Sequence, residues 1–162
     1  MQLAVDCVTC GRTCVVVSTR RLPAYICNNN IPSLHPSTFY ELLSTLNWLL
    51  GQNNSLVVID GLQSLAQSIM GAQNYKGQAL LTELKSVLVE LSRTSLVVYT
   101  NGIVSDGQGD HIPALGRTWS TLPFARVMLL VNENGQRVLW RNFSEKFSVD
   151  LQDDGNFVMQ AL

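Results

Sequence analysis

Nowhere in the 162 residues does a Gly-Lys-Ser or a Gly-Lys-Thr occur. That tripeptide closes the glycine-rich loop with which many α/β proteins cradle phosphates, so its absence removes both the lysine and the amide nest. Charge is sparse as well: Asp, Glu, Lys and Arg make up 14 % of the chain against 46 % apolar residues, and the formal net charge is −1. Such a balance excludes nucleic-acid binding by bulk electrostatics, and any contact of that kind has to be local. So lean a supply of charge points instead to apolar surface covered by a partner. No apolar run reaches the length of a membrane span and no charged-then-apolar leader opens the chain, so no membrane association is expected. The length suits a single domain over 1–162 with its own core.

Histidine is nearly absent too, with His35 and His111 isolated, which weakens a metal reading of the four cysteines, Cys7, Cys10, Cys14 and Cys27. Cys7-x-x-Cys10 has the spacing of a zinc or redox pair, but no second pair accompanies it. Positions 7, 10 and 14 also fit helical spacing, and small buried, reduced thiols of an intracellular protein account for them. No metal site is expected.

What is present is a run of helices and strands. Gln2–Val8 reads as a helix stopped by Gly11, and Thr13–Ser18 as the first strand. Residues 28–37 read as a polar connection. Thr38-x-x-Glu41 is a capping box opening a helix with Phe39, Leu42, Leu43, Leu46 and Leu50 on its apolar face. After Leu56–Asp60, a short helix is expected near 62–69, a polar segment at Gly71–Gly77, and a helix over 78–92 with Leu80, Leu84, Val87, Leu88 and Leu91 inward. Leu96–Thr100 reads as a further buried strand and 102–116 as a glycine-rich loop. Strands 126–131 and 137–142 flank Asn134-Gly135, and 146–151 and 156–160 flank Asp153-Asp154-Gly155, both hairpin signals. Helix–strand alternation followed by hairpins predicts an α/β fold, with a mostly parallel central sheet and antiparallel hairpins at its C-terminal edge.

Leu56-Val57-Val58-Ile59-Asp60 carries the most chemistry. A continuous aliphatic run is a strand buried on both faces, and an acid at its carboxyl end faces the crevice where open α/β sheets bind ligands. The same Asp could instead cap the helix that follows. Downstream stand the loop with Lys76-Gly77, the strand ending Thr100-Asn101, and the block Pro113-Ala114-Leu115-Gly116-Arg117-Thr118-Trp119-Ser120.

In that order these motifs resemble the ATPase core of the RecA/RadA recombinases. The last block is most similar to that of the D-type paralogues of the eukaryotic strand-exchange recombinase. The resemblance implies a RecA-like core, with Asp60 in the place of the acid that is linked to magnesium and ATP. It puts residues 71–77 and 102–116 where two DNA-facing loops lie, and makes Lys76 and Arg117 candidate cations for a phosphate backbone. Lys76 reads equally as a solvated charge, Arg117 as half of an ion pair, and Trp119 as core or partner interface rather than a base-stacking platform.

The departures matter as much. The family's water-polarising glutamate has no counterpart in Ser18-Thr19-Arg20-Arg21, and its phosphate-sensing glutamine is replaced by Gly102. The phosphate loop, the strand before it and the family's small helical amino-terminal domain are missing. The chain therefore reads as a partial core beginning just beyond its nucleotide loop, with Asp60 the remnant of a degenerate Mg–ATP site. ATP and magnesium belong to the family and are not expected to bind this chain alone, and no residue is expected to be catalytic. The function implied is nuclear and accessory, in repair by homologous recombination. The chain would bind other recombinase paralogues (the C-type and the X-ray-repair type) and single-stranded DNA, and support recombinase filaments. Two alternatives stay open: a DNA-dependent ATPase whose loop lies upstream or comes from a neighbouring subunit, and a scaffold that touches no DNA.

Overall fold

The computed structural model describes residues 2–22, 24–70, 75–105, 107, 111–116, 119, 122–131, 137–141, 145–151 and 157–161. The chain divides into two compact units, Met1–Leu122 and Pro123–Leu162.

The first unit is built on a parallel sheet of β1 (Cys14–Ser18), β2 (Ser33–Leu34), β3 (Leu56–Asp60) and β4 (Leu96–Tyr99), in the order β2-β1-β3-β4. Side chains alternate across a strand, so two aliphatic runs in register supply two cores. Val15, Val17, Val57 and Ile59 point to one face, where α3 (Phe39–Leu50), α4 (Leu62–Ala66) and α5 (Tyr75–Leu91) cover them. Cys14, Val16, Leu56 and Val58 point to the other, packed with Ala4 of α1 (Gln2–Thr9) and Ile26 of α2 (Ala24–Asn28). The register Ser18↔Asp60 and Ile59↔Tyr99 brings the carboxyl ends of β1, β3 and β4 to one edge of the sheet.

Several expectations need correction at the element level. The polar connection 28–37 contains β2, which pairs in parallel with β1 through Val16↔Ser33. The apolar face of α3 buries Leu49 in place of Leu50, and that of α5 buries Leu81 in place of Leu80. α5 starts at Tyr75 and so absorbs the end of the expected 71–77 loop, of which 71–74 lie outside the described residues. β4 stands at the end of the described sheet rather than inside it, with Leu96 59 % exposed.

The expected loop 102–116 is largely an antiparallel hairpin of β5 (Ile103–Ser105) and β6 (His111–Pro113). Among the cysteines, helical spacing explains only Cys7, which is half-buried in α1. Cys10 is exposed beyond that helix, and Cys14 is buried as the first residue of β1. Burial pushes the Cys14 thiol up to about 11, and the neighbouring Cys7 adds to the rise.

The second unit is an antiparallel sheet of β7 (Val127–Val131), β8 (Arg137–Arg141), β9 (Glu145–Leu151) and β10 (Phe157–Ala161), in the order β10-β9-β8-β7. The two expected hairpins are its outer pairs, and β8–β9 pairing joins them. The turns Asn134-Gly135 and Asp153-Asp154-Gly155 lie outside the described residues.

Candidate functional site

Asp60 ends the central strand β3 half-exposed, at the edge where β1 and β4 also end. Its carboxylate accepts a hydrogen bond from the Thr100 hydroxyl at 2.8 Å, and that hydroxyl accepts from the Gly61 amide at 2.8 Å. Backbone bonds complete the brace: Thr19 N–H donates to the Asp60 carbonyl (3.2 Å), Thr100 N–H to Ile59 (2.9 Å) and Leu62 N–H to Thr100 (3.3 Å). The Thr19 hydroxyl donates to the Gly61 carbonyl at 3.3 Å. The alternative in which Asp60 caps the next helix fails, because the N-cap of α4 is Gly61, in the left-handed region at φ 82° and with no side-chain capping bond. Glycine is required there twice over, since a Cβ would strain the backbone and collide with the Thr19 hydroxyl.

Three further residues neighbour this brace. Arg20 follows the end of β1, and its Nε lies 3.5 Å from where a Cβ of Gly61 would stand, so a guanidinium occupies the vicinity where an acid was sought. A guanidinium cannot take a proton from water, but it can hold an anion. Gln63 of α4 lays its carboxamide over Gly102, where any Cβ would collide with it. Asn101 has a buried carboxamide oxygen with no partner among the described residues. Asn101 was read from the sequence with Thr100 at the end of its strand, and Arg20, as a cation beside a strand end, had a signal there too; Gln63 depends on tertiary placement.

The remaining candidates do not join this group. Lys76 is exposed in the first turn of α5, beside Tyr75, which is itself 86 % exposed. Arg117 lies outside the described residues. Trp119 is buried, its ring edge-on to Tyr99 at 6.2 Å and 85°, which makes it a core residue under the end of β4. Leu115 is buried in the same cluster, so the Pro-Ala-Leu-Gly-Arg-x-Trp-Ser block is anchored by its apolar members.

The donor set does not make a self-sufficient Mg–ATP site. Magnesium is commonly held by one or two carboxylates together with the phosphates of its nucleotide. Among the described residues no group of three or more His, Cys, Asp or Glu comes together. Asp60 is a single carboxylate already engaged by Thr100, and the described group offers the phosphates it would have to share one guanidinium, that of Arg20, and no amide cradle.

No family model matches the chain. Over 81 residues it is 36 % identical to DNA repair protein RAD51 homolog 4 of Mus musculus, a stretch covering 48 % of this chain and 25 % of that protein. Over 90 residues it is 32 % identical to DNA repair protein RAD51 homolog 4 of Bos taurus, covering 53 % of this chain and 28 % of that one. The match thus spans about a quarter of the length of these curated relatives. In fold, the chain is similar to the crystal structure of a KaiC-like protein from the hyperthermophilic archaeon Pyrococcus horikoshii OT3. The TM-score is 0.61 at 14 % identity, over 98 % of this chain and 80 % of that one. At that identity the likeness is one of fold. The chain is thus similar in sequence, over about half of its length, to the RAD51 homolog 4 proteins, and similar in fold, over nearly all of it, to the KaiC-like protein.

Proposed function

We propose that this chain acts as an accessory, non-catalytic subunit in DNA repair by homologous recombination. In this reading it works in the nucleus, assembles with other recombinase paralogues (the C-type and the X-ray-repair type) and contacts single-stranded DNA. Likeness to the RAD51 homolog 4 proteins supports the repair role. The observation that carries the non-catalytic part is the state of Asp60. Its carboxylate is bonded to Thr100, with a guanidinium rather than an acid near the neighbouring strand end. Phosphoryl transfer is catalysed by positioning and charge stabilisation, and one engaged carboxylate supplies neither a phosphate clamp nor a water-orienting base.

The DNA-facing element of this reading is the hairpin β5–β6, with Ile103 and Val104 each 41 % exposed, aided by Lys76 and Arg117 as local cations. Single strands bind by stacking and local charge and do not need a strongly basic protein. Two measurements test the proposal. ATP turnover is expected to stay at background with and without single-stranded DNA, and DNA-stimulated turnover would remove the non-catalytic claim. Binding of a fluorescent oligothymidylate is expected to weaken several-fold, and to lose salt sensitivity, in a Lys76→Glu/Arg117→Glu variant. Unchanged affinity would favour the scaffold reading.

One observation favours the ATPase alternative: Asp60 remains half-exposed at the crevice mouth, open to phosphates held by a neighbouring subunit. Turnover appearing only on addition of a paralogue bearing its own phosphate loop would support it.

A further inference from the structure

Gly102 links the end of β4 to the hairpin β5–β6, and the space a side chain there would take is filled by the flexible end of Gln63. It is absent from the glycines of positive φ, yet a Cβ would run into the carboxamide of Gln63. The same residue holds the far side of the hairpin, its carbonyl accepting from Ala114 N–H at 2.9 Å. The backbone just before Gln63 is tied to the end of β4. The two preceding amides of α4's start, those of Gly61 and Leu62, both donate to Thr100, one to its hydroxyl at 2.8 Å and one to its carbonyl at 3.3 Å. The half-buried Gln63 side chain thus reaches from a helix start tied to the Asp60 brace onto the first residue of the hairpin's base.

We propose that Gln63 is a positioning residue, a wedge whose side chain against Gly102 sets how the β5–β6 hairpin leaves the sheet. A glycine at 102 and a long side chain at 63 are two halves of one fit: a side chain can occupy that space from either position, not from both. The geometry needs no ligand. Its consequence for DNA rests on the reading of this hairpin as the DNA-facing element.

A four-protein cycle on the full chain tests it: wild type, Gln63→Ala, Gly102→Ala and the double variant. Hydrogen exchange is followed in peptides covering 103–105 and 111–114, and oligothymidylate binding by fluorescence anisotropy. In the wild-type background, Gly102→Ala pushes the flexible end of Gln63 aside, and exchange at the hairpin base rises on the order of tenfold. In the Gln63→Ala background the added methyl group enters vacated space, and exchange does not rise further. Gln63→Met, of equal length and without hydrogen-bonding atoms, keeps wild-type protection. Should Gly102→Ala unfold the chain, recovery of the fold in the double variant reads the same coupling. Additive effects of the two alanines, or no effect of Gly102→Ala in the wild-type background, overturn the wedge. The two readouts also separate the claims. A non-additive exchange cycle with no oligothymidylate binding by any protein leaves the wedge standing and removes the DNA reading.

Discussion

The carboxylate of Glu41 closes the start of α3 in a way that a capping box only approximates. Thr38 accepts from the Glu41 amide at 3.1 Å, as such a box requires. The return bond goes one residue further out, where Glu41 Oε2 accepts from the Ser37 hydroxyl at 2.7 Å and the Ser37 amide at 2.8 Å. Those two bonds, the hydroxyl first, hold the Glu41 carboxyl below its ordinary range. A carboxyl depressed in the folded state contributes stability above its unfolded pKa, and loses it as pH falls through the folded pKa. Glu41→Gln is therefore expected to lower the thermal midpoint at neutral pH. The gap to wild type should shrink steadily on acidification and close once the folded carboxyl is protonated, as followed by circular dichroism from pH 7 to 2. A gap that does not change with pH would assign the effect to packing rather than to charge. At Gly102 the residue scale speaks differently. The family resemblance implies a glutamine where Gly102 stands, while the structure shows a space that the Gln63 side chain fills.

At the scale of elements, the block that carries the family likeness is also a structural anchor. Trp119 is 3 % exposed and meets Tyr99 edge to face, so it fastens the segment after β6 beneath the end of β4. Removing a buried indole loses its transfer energy and leaves a cavity, about 3–5 kcal/mol in comparable cores. Trp119→Ala is expected to lower urea-unfolding stability by that order, whereas Trp119→Phe keeps the edge-to-face contact and most of the stability. A small loss for Trp119→Ala would place this side chain outside the core.

The strands β1 and β3 were legible because aliphatic runs buried on both faces admit few other readings, and α3 because a cap and an apolar stripe coincide. The stripes of α3 and α5 were each misread by one residue. Leucines stand side by side at 49–50 and 80–81, and only packing decides which of two neighbours turns further inward. The β5–β6 hairpin was illegible because glycine and aspartate there mimic a loop, while its pairing depends on tertiary support at Gly102 and Ala114. Of the site, Asp60 and Thr100 could be read from strand ends. Gln63 could not, since nothing local marks a side chain that reaches across to another strand.

For the whole molecule, apolar content and charge set the solution behaviour. With 46 % apolar and 14 % charged residues, the chain has few charges with which to protect an open sheet edge. β4 is such an edge. Parallel strands are ordinarily covered on both sides, yet β4 ends the described sheet, with Leu96 59 % exposed and Val97, Val98 and Tyr99 only half-buried. A short aliphatic strand at the end of a sheet is a template for pairing with another chain. The isolated protein is therefore expected to form larger species as concentration rises, seen by size-exclusion chromatography with light scattering. Leu96→Lys places a charge on the edge without entering either core, because Leu96 belongs to neither buried cluster. That variant is expected to shift the distribution toward monomer while leaving the unfolding free energy within about 0.5 kcal/mol of wild type. A wild-type chain that stays monodisperse and melts reversibly would show that the edge needs no cover. If Leu96→Lys also abolishes capture of a recombinase paralogue, the same strand serves self-association in isolation and partner binding in the assembled complex.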